Sequence, residues 1–352
     1  MRYLRMLVGF ALSAVALFLA FRNVEFSDVG EALRSAAYGW IVPAVALIVA
    51  SLVVRAVRWR LLFYPNTNLR LMNVFGSLNA GYFVNTVLPA RLGEVVRAVM
   101  ISRLENVRTA HALSTVVVER VLDLLTTILI LGLLIPFVSL PDESVTPLIV
   151  ATGLAVAALV VMIVAGANPS RTHRIARIFT ARLPDKWSTR LHHMLDSILD
   201  GFRVLSNVGV SVRLILLSIV IWLLVAAAME CMLLTFHLDL PLTAPLFVLA
   251  LIQLSFIIPS TPGHVGVFQF AAVEALRIGY SVDPNAALSF ALVTNVVSFV
   301  PPAMLGLWFI WRSGASLGRL VTAGREAQAE EAATGTAPSP DPSPTGVGEG
   351  RR

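Results

Sequence analysis

Residues 214–236, LILLSIVIWLLVAAAMECMLLTF, decide the fold class of this protein. Only Ser218, Glu230 and Thr235 interrupt the apolar run. An α-helix needs about 20 mainly apolar residues to cross the hydrocarbon core of a bilayer. The stretch is long enough, and it therefore predicts a transmembrane helix.

The composition of the whole chain agrees with a membrane protein. Hydrophobic residues make up 57% of the sequence and charged residues 14%, whereas a soluble domain has about 25% charged residues. The net charge is +6, and the basic residues cluster beside apolar runs. We therefore expect them to face anionic lipid headgroups, and we predict no nucleic-acid partner.

Six apolar runs of this kind predict an all-α polytopic membrane protein. We interpret the N-terminal run as a retained first span, because no small-residue cleavage site follows it. The predicted full spans are 6–21, 41–59, 113–135, 147–166, 213–236 and 286–311.

Two further apolar segments, 72–100 and 244–280, are interrupted near their middles. The first is broken by LPARLG at 88–93 and the second by PSTPGH at 259–264. Proline removes a backbone donor and clashes with the preceding turn, and glycine adds backbone freedom, so both end helices. The pattern predicts two broken helices or re-entrant helical hairpins.

The arginine distribution predicts the orientation. Arginines precede the first span, follow the second, fill the loop 167–212 and follow the last span, whereas the opposite loops are acidic. The positive-inside rule then places both termini and this loop in the cytoplasm. The two broken segments would enter from opposite sides. An inverted repeat gives this arrangement and places a transport site near the midplane, the alternative being two unrelated kinked helices.

The domain organisation follows from composition. Residues 1–313 form one transmembrane domain, whose cytoplasmic loop 167–212 carries apolar residues at helical spacing and predicts interfacial amphipathic helices. Residues 314–352 lose this periodicity and become rich in Ala, Gly, Pro, Ser and Glu. We expect this tail to be disordered and cytoplasmic.

Charged residues within or beside the apolar segments are the strongest candidates for function. One cluster follows the first break, and a second lies in the third span. An unpaired charge at a helix centre costs about 2.5–3.5 kcal/mol, so these groups should pair or line a wet cavity. Both an ion-pair lock between helices and a substrate-facing polar cavity fit them. The clustered residues are Arg91, Glu94, Arg97, Glu119, Arg120 and Asp123.

Four other polar residues are candidates for substrate contact. Glu230 lies well inside a span without a partner close in sequence. Asn85 approaches the first break, and His264 and Gln269 surround the second. Single polar residues in spans also serve as hydrogen-bonding partners between helices, which is the alternative role.

Arg55, Arg58 and Trp59 lie at the C-terminal end of the second predicted span. Long arginine side chains near helix ends snorkel to the interface, and tryptophan is enriched there. We therefore predict that these three residues form an interfacial anchor.

Several motifs of catalysis are absent from the sequence. It has no P-loop, no His-Glu-x-x-His, no paired cysteines and no Gly-x-Ser-x-Gly. These observations predict no ATP-driven motor, no metal site, no cofactor and no enzymatic activity.

Three segments together resemble the flippase-like membrane region of lysylphosphatidylglycerol synthases and their stand-alone relatives. They are NTVLPARLGEVVR at 85–97, VERVLD at 118–123 and PSTPGHVGVFQ at 259–269, in the family's order. His264 and Gln269 stand where many members have Gly and Glu. The aminoacyl-transfer domain of the full synthases does not follow the last span, so lysyl transfer is not expected.

The resemblance implies a cell inner-membrane lipid translocase whose substrate is a phospholipid, an aminoacylated phospholipid or a polyprenyl-linked glycolipid. Arg91 and Arg97 would hold the lipid phosphate, and Glu94, Glu119 and Asp123 would balance charge or receive a cationic headgroup. The partners would be membrane lipids, with a homo-oligomer or a partner membrane enzyme as further possibilities. The alternatives are an ion-coupled transporter of a small solute, a membrane-embedded polyprenyl-phosphate transferase and a scaffold subunit.

Overall fold

The computed structural model describes residues 2–22, 24–65, 67–88, 92–138, 140, 142–167, 207–258 and 261–314, with residues 318 and 322. These residues contain eleven α-helices and no strand, which confirms the predicted all-α class. The helices are α1 (Arg2–Phe21), α2 (Phe26–Ser35), α3 (Ile41–Leu61), α4 (Leu71–Val87), α5 (Gly93–Glu105), α6 (Thr109–Leu134), α7 (Asp142–Ala167), α8 (Val208–Thr235), α9 (Thr243–Ser255), α10 (Val267–Tyr280) and α11 (Pro284–Arg312).

Two predictions fall on residues outside this description. The predicted amphipathic helices of the loop 167–212 lie almost wholly in 168–206. The predicted disordered tail occupies residues beyond 314, of which only 318 and 322 are described.

Among the described residues, four stretches are long and apolar enough to cross a membrane, and each contains or closely matches a predicted span. The other two predicted spans correspond to α1 and α7, whose described apolar parts, Phe10–Phe21 and Val145–Ala158, are shorter. The four long stretches are Tyr38–Leu61, Thr109–Phe137, Val208–Thr235 and Pro284–Arg312.

Helices α3 and α8 run antiparallel, and their termini define the two ends of the molecule. At one end the backbone N–H of Ala37 donates to the Thr235 carbonyl at 2.8 Å. At the other, the Asn207 amide donates to the Tyr64 hydroxyl at 3.2 Å. The Asn207 side chain also accepts the N–H of Val210 and so caps α8, as expected for asparagine at a helix start.

The two ends differ in charge. The end at which α3 finishes and α8 begins, here called the arginine-rich end, carries Arg60, Arg70, Arg103, Arg108, Arg213 and Arg312. The opposite end, here called the acidic end, carries Glu25, Asp28, Glu31, Asp239 and Asp283.

Helices α4 and α5 form a hairpin, as the first broken segment predicted. At its open end the Asn73 amide donates to Glu105 Oε1 at 2.5 Å, and near its tip the Gly93 N–H donates to Asn85 Oδ1 at 2.8 Å. The arms contain 17 and 13 residues, or about 26 and 20 Å, which is less than the bilayer core of about 30 Å. The hairpin opens toward the arginine-rich end.

Glycine allows the two arms to touch. A Cβ on Gly81 would lie 2.7 Å from the Gly93 carbonyl oxygen, and a Cβ on Gly93 would overlap the Gly81 carbonyl oxygen. The first hairpin is therefore closed by direct backbone contact.

We expect Gly93→Ala to lower the unfolding free energy by about 1–3 kcal/mol, because overpacking must separate α4 from α5. Thermal unfolding of the purified protein in detergent measures the change. Gly153→Ala is the control, since a Cβ there meets no atom within 4 Å. Equal melting temperatures for the two variants would contradict the close contact.

Helices α9 and α10 form the second hairpin. The Tyr280 hydroxyl donates to Thr243 Oγ1 at 3.1 Å across its open end, which lies at the acidic end. Its tip contains Gly263 and Gly266 with φ of 68° and 91°, values that glycine adopts without strain. The second break is therefore also a hairpin, open in the opposite direction to the first.

The tips of the two hairpins meet inside the protein. A Cβ on Gly263 would lie 3.9 Å from the Thr86 carbonyl oxygen at the end of α4. The Asn295 amide of α11 donates to the Gly263 carbonyl at 3.2 Å, and the Thr261 N–H donates to Ser13 Oγ of α1 at 2.9 Å. The opposed orientation that the sequence predicted is therefore present, and the tips are held by α1 and α11.

Candidate functional site: a buried network of arginines and carboxylates

Glu119 lies at the centre of a buried charged network between α3, α5 and α6. Arg58 Nη2 approaches Glu119 Oε1 at 3.1 Å, and Arg97 Nη1 approaches Oε2 at 2.9 Å. The three side chains are 2–3% exposed. One carboxylate of α6 therefore joins an arginine of α3 to an arginine of α5.

Asp123 extends the network one turn along α6. Its Oδ1 lies 2.8 Å from Arg58 Nη1, and its Oδ2 lies 3.8 Å from Arg55 Nη1. Residues four apart share a helix face, so Glu119 and Asp123 both reach Arg58. The Arg58 Nη1 group also donates to Ser218 Oγ of α8 at 3.0 Å, which ties the network to a fourth helix.

The network carries surplus positive charge. It contains the three arginines Arg55, Arg58 and Arg97 but only the two carboxylates Glu119 and Asp123. A buried charge without a partner is costly, so this surplus favours an additional anion.

Arg97 is the least satisfied member of the network. Its guanidinium carbon lies 4.9 Å from the centre of the Trp59 ring, whose indole N–H donates to Thr115 Oγ1 at 3.0 Å. Among the described residues, its buried Nε and Nη2 have no hydrogen-bond partner. Its contact with Glu119 has the distance of an ion pair but not the alignment of a hydrogen bond. Arg97 therefore keeps donors available.

A polar crevice runs beside Arg97, between the first hairpin and α6. Arg120 Nε lies 2.9 Å from Glu94 Oε1 in this crevice, with side chains 42% and 27% exposed. In this conformation the crevice is too narrow to hold a water molecule. It is lined by Leu78, Gly81, Tyr82, Asn85, Gly93, Glu94, Arg97 and Arg120.

We expect Glu94→Gln to change the unfolding free energy by less than about 1 kcal/mol, because a partly exposed ion pair contributes little. Chemical unfolding followed by tryptophan fluorescence measures this. A loss as large as that of a buried pair would show that the Glu94–Arg120 pair is structural.

The structure brings most of the predicted site residues together. Arg97, Glu119 and Asp123 lie in the network, whereas Asn85, Glu94 and Arg120 line the crevice. Arg91 lies outside the described residues.

Three predicted site residues lie elsewhere. Glu230 is near the acidic end of α8, and its buried Oε2 has no hydrogen-bond partner among the described residues. His264 packs against Phe256, with ring centres 4.4 Å apart, in an aromatic group at the second hairpin tip. Gln269 Oε1 accepts the Gly266 N–H at 2.7 Å and caps α10.

The sequence-based interpretation of Arg58 and Trp59 as an interfacial anchor was wrong. Both side chains are buried, because α6 and α8 cover this end of α3 and prevent the arginine from reaching water. A signal was available in the spacing. Arg55 and Arg58 are three residues apart and form a basic face on one span. Glu119 and Asp123 are four residues apart and form an acidic face on another span. The two faces are complementary in charge.

The opposed hairpins and long apolar helices define an integral membrane protein with a polar interior. The chain belongs to the family described as the lysylphosphatidylglycerol synthase TM region, which matches residues 6–306. The predicted family resemblance is thereby confirmed.

Curated relatives resemble this chain at about 25% sequence identity. A protein of Haloferax volcanii named glycosyltransferase AglD is 24% identical over 84% of this chain, which spans about half (52%) of that protein. A UPF0104 membrane protein of Methanothermobacter thermautotrophicus is 25% identical, over 87% of this chain and 94% of that protein. No solved structure matches significantly.

The comparison corrects one prediction. The expectation that this chain is not an enzyme is contradicted by the relative that bears the name of a glycosyltransferase. The expectation rested on missing motifs of soluble catalytic sites and nucleotide motors, and a membrane-embedded transferase needs none of these motifs. The absence of those motifs therefore does not exclude catalysis.

Proposed function

We propose that this protein moves a phosphate-bearing lipid between the two leaflets of the membrane. The observation that carries the proposal is the buried network with one surplus positive charge and with unpartnered Arg97 donors beside a polar crevice. The substrate would be a phospholipid, an aminoacylated phospholipid or a polyprenyl-linked glycolipid.

Arginine suits this role because its planar fork makes bidentate contacts with phosphate. Arg97 offers Nε and Nη2, and Arg120 becomes available if the phosphate displaces Glu94. Arg91, in the same sequence motif, would contribute a third guanidinium. Glu119 and Asp123 keep Arg58 and Arg97 in place and limit the positive charge.

The hairpins provide a route across the membrane. They open toward opposite ends and touch at Thr86 and Gly263, so each can give access from one side while the tips separate the two sides. Broken helices of opposite orientation around a midplane site are typical of transporters with alternating access. The crevice is closed to water here, and lipid passage requires the first hairpin to move away from α6.

The charge distribution supports an orientation. If the protein lies in the cell membrane, the positive-inside rule would put the arginine-rich end on the cytoplasmic side, and both termini would then be cytoplasmic. Membrane lipids would be the direct partners, and a second copy of the chain or a membrane enzyme would assemble with it.

Leaflet exchange in liposomes tests the proposal. The purified protein is reconstituted with fluorescently labelled phosphatidylglycerol or a labelled polyprenyl-phosphate lipid, and a membrane-impermeant quencher reports exchange. We expect exchange of one lipid class above protein-free liposomes. Uptake of a small solute without lipid exchange would support a solute transporter instead, and no exchange of either lipid would contradict the proposal.

The name of the Haloferax volcanii relative favours a second candidate, a membrane-embedded transferase acting on a polyprenyl-phosphate lipid. Incubation of the reconstituted protein with polyprenyl phosphate and radiolabelled nucleotide sugars distinguishes the two. Label in the lipid fraction would support the transferase, and its absence together with lipid exchange would support the translocase.

A further inference from the structure

A cleft at the acidic end lies far along the molecule from the buried network and has a different composition. It lies between the end of α1, helix α10 and the start of α11, and encloses about 200 Å³. Leu19, Phe270 and Val273 form its apolar wall, and Arg22, Glu274 and Arg277 form its polar part.

The residues of α10 form one stripe along the cleft. Phe270, Val273, Glu274 and Arg277 are three or four residues apart and therefore share a helix face. The stripe changes from apolar to charged as α10 approaches the acidic end. A membrane lipid has the same gradient, with acyl chains toward the bilayer centre and a headgroup at the interface.

The charges in the cleft favour an anionic headgroup. Glu274 Oε2 accepts from Arg277 Nε at 3.2 Å and from Nη2 at 2.6 Å, which fixes the guanidinium and leaves Nη1 available. Arg22 is exposed, and among the described residues no carboxylate pairs with it. The cleft therefore offers two guanidinium groups and one carboxylate, and arginine forks suit phosphate.

The location of these arginines adds an independent observation. Of the described residues at the acidic end, the arginines are Arg22, Arg34 and Arg277, and two of them line this one cleft. The positive-inside rule depletes basic residues on the outer side of a membrane protein. Arg277 already has Glu274 as a partner, whereas Arg22 lines the same cleft without a carboxylate partner among the described residues, and this favours an additional anion there.

We propose that this cleft binds the phosphate headgroup of an anionic phospholipid in the leaflet at the acidic end, with Arg22 and Arg277 on the phosphate and the acyl chains along Leu19 and Phe270. The volume is below the 300 Å³ or so of pockets for drug-sized ligands, which fits a headgroup whose chains stay in the bilayer. A role for the bound lipid as the transported substrate rests on the proposed function, but the binding itself does not.

Titration of the full-length protein in detergent with dioctanoyl phosphatidylglycerol, followed by native mass spectrometry, tests the proposal. The double variant Arg22→Gln, Arg277→Gln should bind the lipid about fivefold or more weakly, since charge-assisted hydrogen bonds are lost. Arg34→Gln, an exposed arginine outside the cleft, is the control and should bind like wild type.

Three outcomes would overturn the proposal. One is unchanged lipid binding by the double variant, and another is an equal loss in Arg34→Gln, which would indicate a general surface charge effect. The third is equal competition by inorganic phosphate, which would indicate a site for a soluble anion. Loss of leaflet exchange in Arg97→Gln with normal lipid binding by the cleft variant would reject the cleft and leave the translocase standing.

Discussion

Glu119→Gln should lower the unfolding free energy by about 3–5 kcal/mol, the typical result of removing one partner from a buried ion pair. The substitution leaves Arg58 and Arg97 buried with Asp123 as their remaining carboxylate, so the surplus rises from one positive charge to two. Thermal and chemical unfolding of detergent-purified protein measures the loss.

The control is Glu274→Gln, which removes the carboxylate of an ion pair whose arginine is 52% exposed. Such a pair contributes about 1 kcal/mol or less. The double variant Arg97→Gln, Glu119→Gln should be more stable than Glu119→Gln alone, because the second substitution removes one unpaired arginine. Equal losses in the two single variants, or no recovery in the double variant, would contradict a buried network held by Glu119.

Arg97→Gln should reduce leaflet exchange of the transported lipid by about tenfold or more, because a lost charge-assisted contact costs roughly 1.5–3 kcal/mol. The same substitution should cost less stability than Glu119→Gln. It removes the surplus positive charge, and Glu119 keeps Arg58 as its partner. Arg97→Gln should therefore lose most of the leaflet exchange while keeping most of the unfolding free energy.

Two matched variants sharpen this prediction. Arg103→Gln changes an exposed arginine of the same helix and should exchange lipid like wild type. Arg97→Lys keeps the charge but loses the planar fork, so it should remain impaired if bidentate phosphate contact matters. Wild-type exchange by both Arg97 variants, with folded protein, would show that Arg97 only fastens α5 to α6.

Much of the architecture could be predicted from the sequence, because membrane helices depend mainly on local composition. An apolar run such as 214–236 has few alternatives to a helix in lipid, since every backbone polar group must be satisfied within the segment. The two hairpins were also predictable, because the proline and glycine residues within 88–93 and 259–264 disfavour a continuous helix through the middle of each apolar segment for local steric reasons.

The pairing of charges depended on which helices pack together. The sequence could show that Glu119 and Asp123 share a face, and that so many charges must find partners or water. It could not show that their shared partner is Arg58, because that contact joins residues 61 and 65 positions apart through the packing of α3 on α6.

Residues 214–236 illustrate the same difference between what local sequence predicts and what helix packing decides. By itself this stretch determined a membrane helix, because hydrophobic length alone decides whether a segment can span the bilayer core. Only the tertiary structure decided the roles of its polar interruptions: Ser218 accepts a hydrogen bond from Arg58, whereas Glu230 lies near the acidic end, apart from the network. The physical reason is that helix formation is local, whereas the partner of a buried polar group is fixed by which other helix lies within about 3 Å of it.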